Sequence, residues 1–97
     1  MTNKIKGYAV IEGIASYVSG RIIKTKSGKE ASELEMTVIT ADDTKNKIYF
    51  PSLIPIENGD YIKVFIKSDD ITQRNAERID KIKNNRVAAS YSSYMVK

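Results

Sequence analysis

Two pairs of neighbouring aspartates are the residues of this chain that could most directly do chemistry. Asp42-Asp43 and Asp69-Asp70 could hold a magnesium ion or act as an acid and a base. Both pairs flank β-type sequence, however, and aspartate there typically forms turns. The chain contains no histidine and no cysteine, which removes imidazole and thiolate groups as nucleophiles, general bases and metal ligands. We therefore expect no catalytic residue, metal, cofactor or small-molecule substrate, and we predict that the protein is not an enzyme.

Rings and cations alternate along the stretch that follows residue 60. Asn58-Gly59-Asp60 favours a tight turn, because glycine and asparagine accept positive φ, so a strand is predicted to begin at about Tyr61. Alternation then divides this strand into two faces. One face carries the core residues Ile62, Val64 and Ile66, and the other carries Tyr61, Lys63, Phe65 and Lys67. Rings beside cations suit bases and phosphates, although an ordinary solvated strand has the same composition.

Charge is distributed unevenly along the chain. Residues 1–29 contain six Lys/Arg and one acid, residues 30–70 contain four and nine, and residues 71–97 contain six and two. The segment charges are therefore +5, −5 and +4, and the net charge is +4. If the fold brings the two basic ends together, they form a polyanion-binding surface; otherwise the charges only solvate a small domain. A chain of 97 residues predicts one modest core and a surface site rather than a deep cleft.

The remaining segments are predicted to be mostly β-strands. Residues 8–24 form one long strand that Gly13 and Gly20 bend, because a missing Cβ permits a bulge. A polar loop at 25–32 leads to strands at 33–41 and 47–50, which a turn at 42–46 joins as a hairpin. Alternation in the first strand places Ile14, Val18 and Ile22 on one face and Ala15, Tyr17, Arg21 and Ile23 on the other. In the hairpin the inward residues are Leu34, Met36, Val38, Ile48 and Phe50, and the outward ones are Glu35, Thr37, Ile39, Lys47 and Tyr49.

The last third of the chain has a less decisive pattern. Ala76, Ile79 and Ile82 recur every three residues, which fits a helix, but a strand with one irregularity fits residues 76–84 equally well. We favour the strand because the rest of the chain is β-type. Residues 1–85 are predicted to form the domain, and residues 86–97 to be a loose tail or an arm that orders on a partner.

The order of these elements resembles the OB-fold (oligonucleotide/oligosaccharide-binding) superfamily, and within it the small single-stranded nucleic-acid-binding proteins. The resemblance covers about residues 8–84. Its most recognisable part is Gly59-Asp60 before the alternating apolar strand, which looks like the entry into the fourth OB strand. The helix usual between strands three and four is shortened to residues 52–55 or missing. The resemblance implies an all-β fold, a five-stranded OB-like Greek-key barrel with a short or absent helix between strands 3 and 4.

The resemblance also implies where a ligand binds. OB-folds bind ligands on the outer face of strands two and three, between the first-to-second and fourth-to-fifth strand loops. Glu33 and Glu35 are expected at the edge of this footprint. The implied nucleic-acid-binding residues are Tyr17, Arg21, Lys24, Lys26, Lys29, Thr37, Ile39, Lys47, Tyr49 and Arg74. Strand four lies away from that surface, so Tyr61, Lys63, Phe65 and Lys67 become secondary contacts, either for a longer strand or for another subunit.

The expected function is non-catalytic binding of single-stranded nucleic acid, DNA rather than RNA, with little sequence preference because rings accept any base. The alternative is a protein-interaction or assembly module on the same small barrel, since the net charge is modest and the middle is acidic. Self-association as a homodimer or larger assembly is expected. No run of the roughly 20 apolar residues that span a membrane occurs, and residues 1–10 lack a signal-peptide core. We therefore expect a cytoplasmic protein without a membrane partner, and the composition is compatible with an archaeal or viral source.

Overall fold

The computed structural model of the chain describes residues 2–5, 8–67 and 75–93. They form seven strands: β1 (Thr2–Ile5), β2 (Tyr8–Lys24), β3 (Glu30–Ile39), β4 (Lys45–Phe50), β5 (Tyr61–Lys67), β6 (Arg78–Lys83) and β7 (Arg86–Ser92). Within these residues there is no α-helix, and hence none that could span a membrane. The strands pair antiparallel in the order β4-β3-β2-β5-β6-β7, and β1 pairs with the beginning of β2. The predicted all-β class is confirmed.

The five predicted strands correspond to β2–β6 and lie in one open sheet. A closed barrel would require β4 to pair with β6, at the other end of this five-strand set. In the described part of the chain, β6 pairs with β5 on one side and with β7 on the other. Among the described residues, a single parallel bridge between Tyr49 and Asn75 joins β4 to the segment before β6. The fold therefore supports an antiparallel all-β sheet, and it does not show a closed five-stranded barrel.

Alternation within the strands builds one apolar core. The residues predicted to face inward on β3, β4 and β5 are all buried: Leu34, Met36, Val38, Ile48, Phe50, Ile62, Val64 and Ile66. Strand β5 begins at Tyr61, as predicted. Strand β3 begins at Glu30, earlier than predicted, because its polar first residues pair with the end of β2 across a tight turn.

Strand β2 departs from its predicted alternation. Ala15 is completely buried, whereas Ile14 is 40% exposed and Ile22 is 62% exposed. Val18 packs against the core. The predicted grouping of Ile14, Val18 and Ile22 on one face is wrong, because the pairing of β2 with β3 shifts register between Ser16 and Ser19. A shift of this kind moves every later side chain relative to the sheet.

The segment at residues 76–84 contains strand β6, which confirms the strand interpretation over the helix. Ile79 is buried because it pairs with Val64 of β5 on the core face. The three-residue spacing that imitates a helix arises because Ala76 precedes the strand and Ile82 lies at an irregularity of the β6–β7 pairing.

Residues 86–92 are ordered as β7 on the same chain, which corrects the expectation of a loose tail. The tight turn at Asn84-Asn85, both with positive φ, reverses the chain so that β7 pairs with β6. The buried Asp80 carboxylate accepts hydrogen bonds from the Arg78 guanidinium at 2.8 Å and from Ser90 Oγ at 2.6 Å. Burial opposes ionisation of Asp80, but these hydrogen bonds lower its pKa below the ordinary value. Residues 94–97 lie outside the described residues.

Candidate nucleic-acid interface

An irregularity in β2 places Tyr17 on the surface. At the register shift, Tyr17 adopts a left-handed backbone conformation with a φ of 52°. This conformation costs a residue with a side chain on the order of 1–3 kcal/mol, so the surrounding contacts must maintain it. Tyr17 is 77% exposed, while the next residue, Val18, packs against the core. The register shift lies here, whereas the pairing is regular at Gly13 and Gly20, where the sequence predicted a bulge or bend.

The turn at residues 57–60 holds this bulge in place. The Val18 N–H donates to Asn58 Oδ1 at 2.9 Å. The Gly59 N–H donates to the Ala15 carbonyl, and the Ala15 N–H donates to the Asp60 carbonyl, both at 2.8 Å. The sequence indicated this turn only as the entry to a strand. Its second role, contact with a residue 40 positions earlier, leaves no local signal that sequence reasoning could use.

Strand register gathers the outward side chains of β2, β3 and β4 on one surface, which we call the β2–β4 face. Thr37 of β3 lies between Ser16 of β2 and Lys47 of β4. Glu35 lies between Ser19 and Tyr49. The predicted binding residues on this face are Arg21, Thr37, Ile39, Lys47 and Tyr49.

Both predicted cations on the β2–β4 face form ion pairs. Arg21 donates through Nε at 2.8 Å and through Nη2 at 2.5 Å to Glu33 Oε1. Lys47 Nζ lies 3.2 Å from Glu35 Oε2. The hydrogen bond and charge of Glu33 raise the pKa of Arg21 above its ordinary value. Glu35 therefore lies between β2 and β4 and not at the edge of the face as expected, whereas Glu33 lies at the edge, where the pairing of β3 with β4 ends.

Beyond this face, β2 and β3 extend as a two-stranded arm, residues 22–32. Over this stretch the described strands pair only with each other. The turn is closed by the Thr25 N–H, which donates to the Lys29 carbonyl at 2.8 Å, and by Gly28 with a φ of 82°. Lys24, Lys26 and Lys29 are exposed at its tip, and none forms an ion pair with a carboxylate among the described residues. The arm tip therefore presents three cations that form no ion pair among the described residues, with Glu30 opposite Lys24 in register.

The loop between β5 and β6 was expected on the opposite side of the face. The structure describes only the end of this loop, from residue 75. Arg74, like Gln73, lies outside the described residues. Asn75 forms the parallel bridge to Tyr49, and the Ala76 N–H donates to the Tyr49 carbonyl at 2.8 Å. The end of this loop is therefore anchored beside Tyr49.

The secondary candidates on β5 make contacts within the sheet. Tyr61 Oη donates to Glu12 Oε2 at 2.5 Å, and this bond raises the pKa of Tyr61. Phe65 meets the ring of Tyr8 edge-on, with 6.4 Å between centroids, and the Arg78 guanidinium lies 4.7 Å from its centroid. Lys63 pairs in register with Glu12 and Asp80, and Lys67 Nζ lies 3.3 Å from Glu77 Oε1. These contacts stabilise the sheet whether or not a ligand binds.

An apolar row crosses the outer side of the sheet, and the sequence did not predict it. The register pairs Ile39 with Ile14, Ile14 with Tyr61, Tyr61 with Ile82, and Ile82 with Val87. Ile14 and Tyr61 are each 40% exposed, and Val87 is 54% exposed. The row, residues 39, 14, 61, 82 and 87, comes from five strands, so no single stretch of sequence reveals it.

The aspartate pair at residues 42 and 43 lies in the β3–β4 turn. Asp42 accepts hydrogen bonds from Thr40 Oγ1 and, at 3.3 Å, from the Thr44 N–H. These bonds lower the pKa of Asp42 to about 2, with the Thr40 bond the largest cause. Asp43 has a φ of 66°, which aspartate tolerates better than most residues. The other pair, Asp69-Asp70, lies outside the described residues.

Comparisons with protein-family models, with curated proteins and with solved structures find no match. A functional proposal for this chain therefore depends on the site's own geometry.

Proposed function

We propose that this protein binds single-stranded nucleic acid, DNA in preference to RNA, on the β2–β4 face without catalysing a reaction. The observation that carries the proposal is Tyr17, which lies in β2 between Ser16 and Ser19, the residues that pair with Thr37 and Glu35 of this face. Its ring is largely exposed on a backbone conformation that costs free energy, and hydrogen bonds from a distant turn maintain that conformation. Strain that the fold maintains in this way is characteristic of functional positions.

Different residues are proposed to contact the bases and the phosphates of a nucleic-acid strand. Tyr17 and Tyr49 offer rings on which bases stack, and stacking accepts any base, so little sequence preference follows. The arm tip offers Lys24, Lys26 and Lys29 to phosphates. A strand that follows this surface has its phosphates toward the arm tip and its bases toward the β2–β4 face.

The proposal includes an OB-like barrel. The spatial order β4-β3-β2-β5-β6 brings the first predicted strand between the second and the fourth. The Tyr49–Asn75 bridge joins β4 to the segment that precedes β6. Further pairing beyond that bridge would complete a barrel with the arm and the residue-75 loop on either side of the β2–β4 face.

A titration of the wild-type protein tests the proposed function. Fluorescently labelled single-stranded DNA of about 16 nucleotides, the upper site size of one OB-fold, is titrated at several salt concentrations. Three lysine–phosphate contacts predict a slope of about −2 for the logarithm of the binding constant against the logarithm of salt concentration. Single-stranded RNA and duplex DNA serve as competitors. Absence of single-strand binding at low salt would contradict the proposal.

Assembly is the alternative function, and the apolar row favours it. The pattern Ile-Ile-Tyr-Ile-Val is aliphatic on both sides of Tyr61, and a two-fold interface requires a patch that matches itself. Exposed apolar patches of this kind often mark interfaces. A second copy of the chain is the expected partner.

Sedimentation velocity over a range of protein concentrations tests this alternative. If the row is the interface, the variant Tyr61→Ser/Val87→Ser shifts any concentration-dependent dimer to monomer and leaves oligonucleotide affinity unchanged. Phe65 is unsuitable for the test because it packs against Tyr8 and Arg78. A wild-type protein that stays monomeric at every concentration would remove the alternative.

A further inference from the structure

The centre of the β2–β4 face is electrically neutral. It holds two cations, Arg21 and Lys47, and two carboxylates, Glu33 and Glu35, joined pairwise at 2.5 and 3.2 Å. The cationic side chains are 54% and 59% exposed, whereas the carboxylates beneath them are 20% and 28% exposed. Each cation already forms an ion pair with a carboxylate, and that carboxylate repels a phosphate that approaches the cation.

The arm tip has the opposite character. Its three lysines form no ion pair with a carboxylate among the described residues, although Glu30 lies opposite Lys24 in the strand register. Phosphates are attracted there and are not attracted at the centre of the face. The two regions are joined through β2 and β3, so a ligand that covers both meets a neutral region and a cationic one.

We propose, on the basis of the single-strand binding proposed above, that Glu33 and Glu35 are selectivity determinants that keep duplex nucleic acid off the β2–β4 face. A duplex carries one charge per about 1.7 Å of its axis on a rigid frame, and its bases are stacked inside. A duplex that binds the β2–β4 face as well as the arm tip presents phosphates to the two carboxylates.

A single strand avoids this conflict because its backbone turns freely. Its phosphates lie along Lys24, Lys26 and Lys29, while its bases turn toward Tyr17 and Tyr49. The uncharged base faces then cover the neutral centre, where a phosphate would be repelled. Selection against a competitor by like charge is a common means of specificity, because such a juxtaposition is costly.

The test compares Glu33→Gln/Glu35→Gln with the wild-type protein. Anisotropy titrations use a labelled single-stranded DNA and a duplex of the same length, each at several salt concentrations. We expect the variant's affinity for the duplex to exceed that of the wild type by at least about tenfold. Its affinity for the single strand should rise by only about threefold. Freeing two cations should also steepen the duplex salt dependence by about 1.8, whereas the single-strand slope stays near that of the wild type because bases cover the centre.

A charge-matched control separates a local effect from net charge. Asp43→Asn/Glu57→Gln raises the net charge equally but lies in turns outside the face, and the positive φ of residue 43 suits asparagine. Circular dichroism and thermal unfolding verify that both variants are folded. An equal gain in duplex affinity for the control, or an unchanged ratio of single-strand to duplex affinity for the Glu variant, would overturn the inference. A wild-type protein that binds no single strand would instead overturn the proposed function.

Discussion

Replacing Tyr17 and Tyr49 together by alanine is expected to weaken single-stranded DNA binding by at least about 30-fold. Each stacked base contributes about 1–3 kcal/mol by alanine substitution, and about 1.4 kcal/mol corresponds to a factor of ten. The salt dependence should remain near the wild-type slope, because the lysines at the arm tip are unchanged. Fluorescence titration at several salt concentrations measures both quantities. Affinity equal to that of the wild type would exclude the two rings as the stacking surface.

Conservative variants show whether the rings act by stacking. Tyr17→Phe/Tyr49→Phe retains both rings and should bind within about threefold of the wild type, since stacking uses the ring face. Tyr61→Ser removes an exposed ring elsewhere on the sheet and should also leave affinity unchanged. A loss for Tyr61→Ser as large as for the alanine pair would place the binding surface on β5.

A glycine at position 17 separates the requirement for the ring from the requirement for the fold. The positive φ of Tyr17 suits glycine, so Tyr17→Gly relieves backbone strain. We expect this variant to be at least as stable as the wild type to thermal unfolding and yet to bind single strands more weakly. Reduced stability together with unchanged binding would show that Tyr17 serves the fold rather than a ligand.

Gly13→Ala is expected to lower the free energy of unfolding by about 3 kcal/mol, a large fraction of a small domain's stability. Gly13 lies where β2 begins to pair with β3, and a Cβ there would collide with the carbonyl group of Ile39. Backbone atoms cannot rotate away as a side chain can, so the strands must separate locally. Urea denaturation of the wild type and the variant measures the difference.

Gly20→Ala is the matched control for this substitution, because it lies in the same strand. A Cβ at Gly20 would be too close only to Cδ2 of Leu53, the far end of an exposed and flexible side chain. We expect this variant to lose less than about 1 kcal/mol, within the range of surface substitutions. Equal losses for the two alanine variants would mean that the approach of β2 to Ile39 does not limit stability.

Local patterns predicted the parts of this fold that depend on neighbouring residues. The inward faces of β3, β4 and β5 follow from period-two alternation, and Tyr61 begins β5 because Asn58-Gly59-Asp60 forms a turn. The same reasoning failed in β2. It placed the irregularity at two glycines and did not take the Asn58 side chain into account. That side chain stabilises the bulge at Tyr17 from 40 residues away along the chain.

The candidate site also has features that the sequence predicts and features that it does not. Its residue types and the exposed lysines at the arm tip could be predicted from the sequence, because a polar loop between two strands is exposed. The pairing of Arg21 and Lys47 with Glu33 and Glu35 could not, because it depends on register between strands. The apolar row depends on register across five strands.

The sequence by itself determined the all-β class, the inward residues of the regular strands and the basic character of the arm tip, since each depends on alternation or on adjacent residues. Only the tertiary structure decided that Tyr17 projects from a bulge, that the β2–β4 face is neutral at its centre and that residues 86–92 join the sheet. Each of these depends on which strands become neighbours and in what register. That choice is made by the packing of the whole core and not by any one segment.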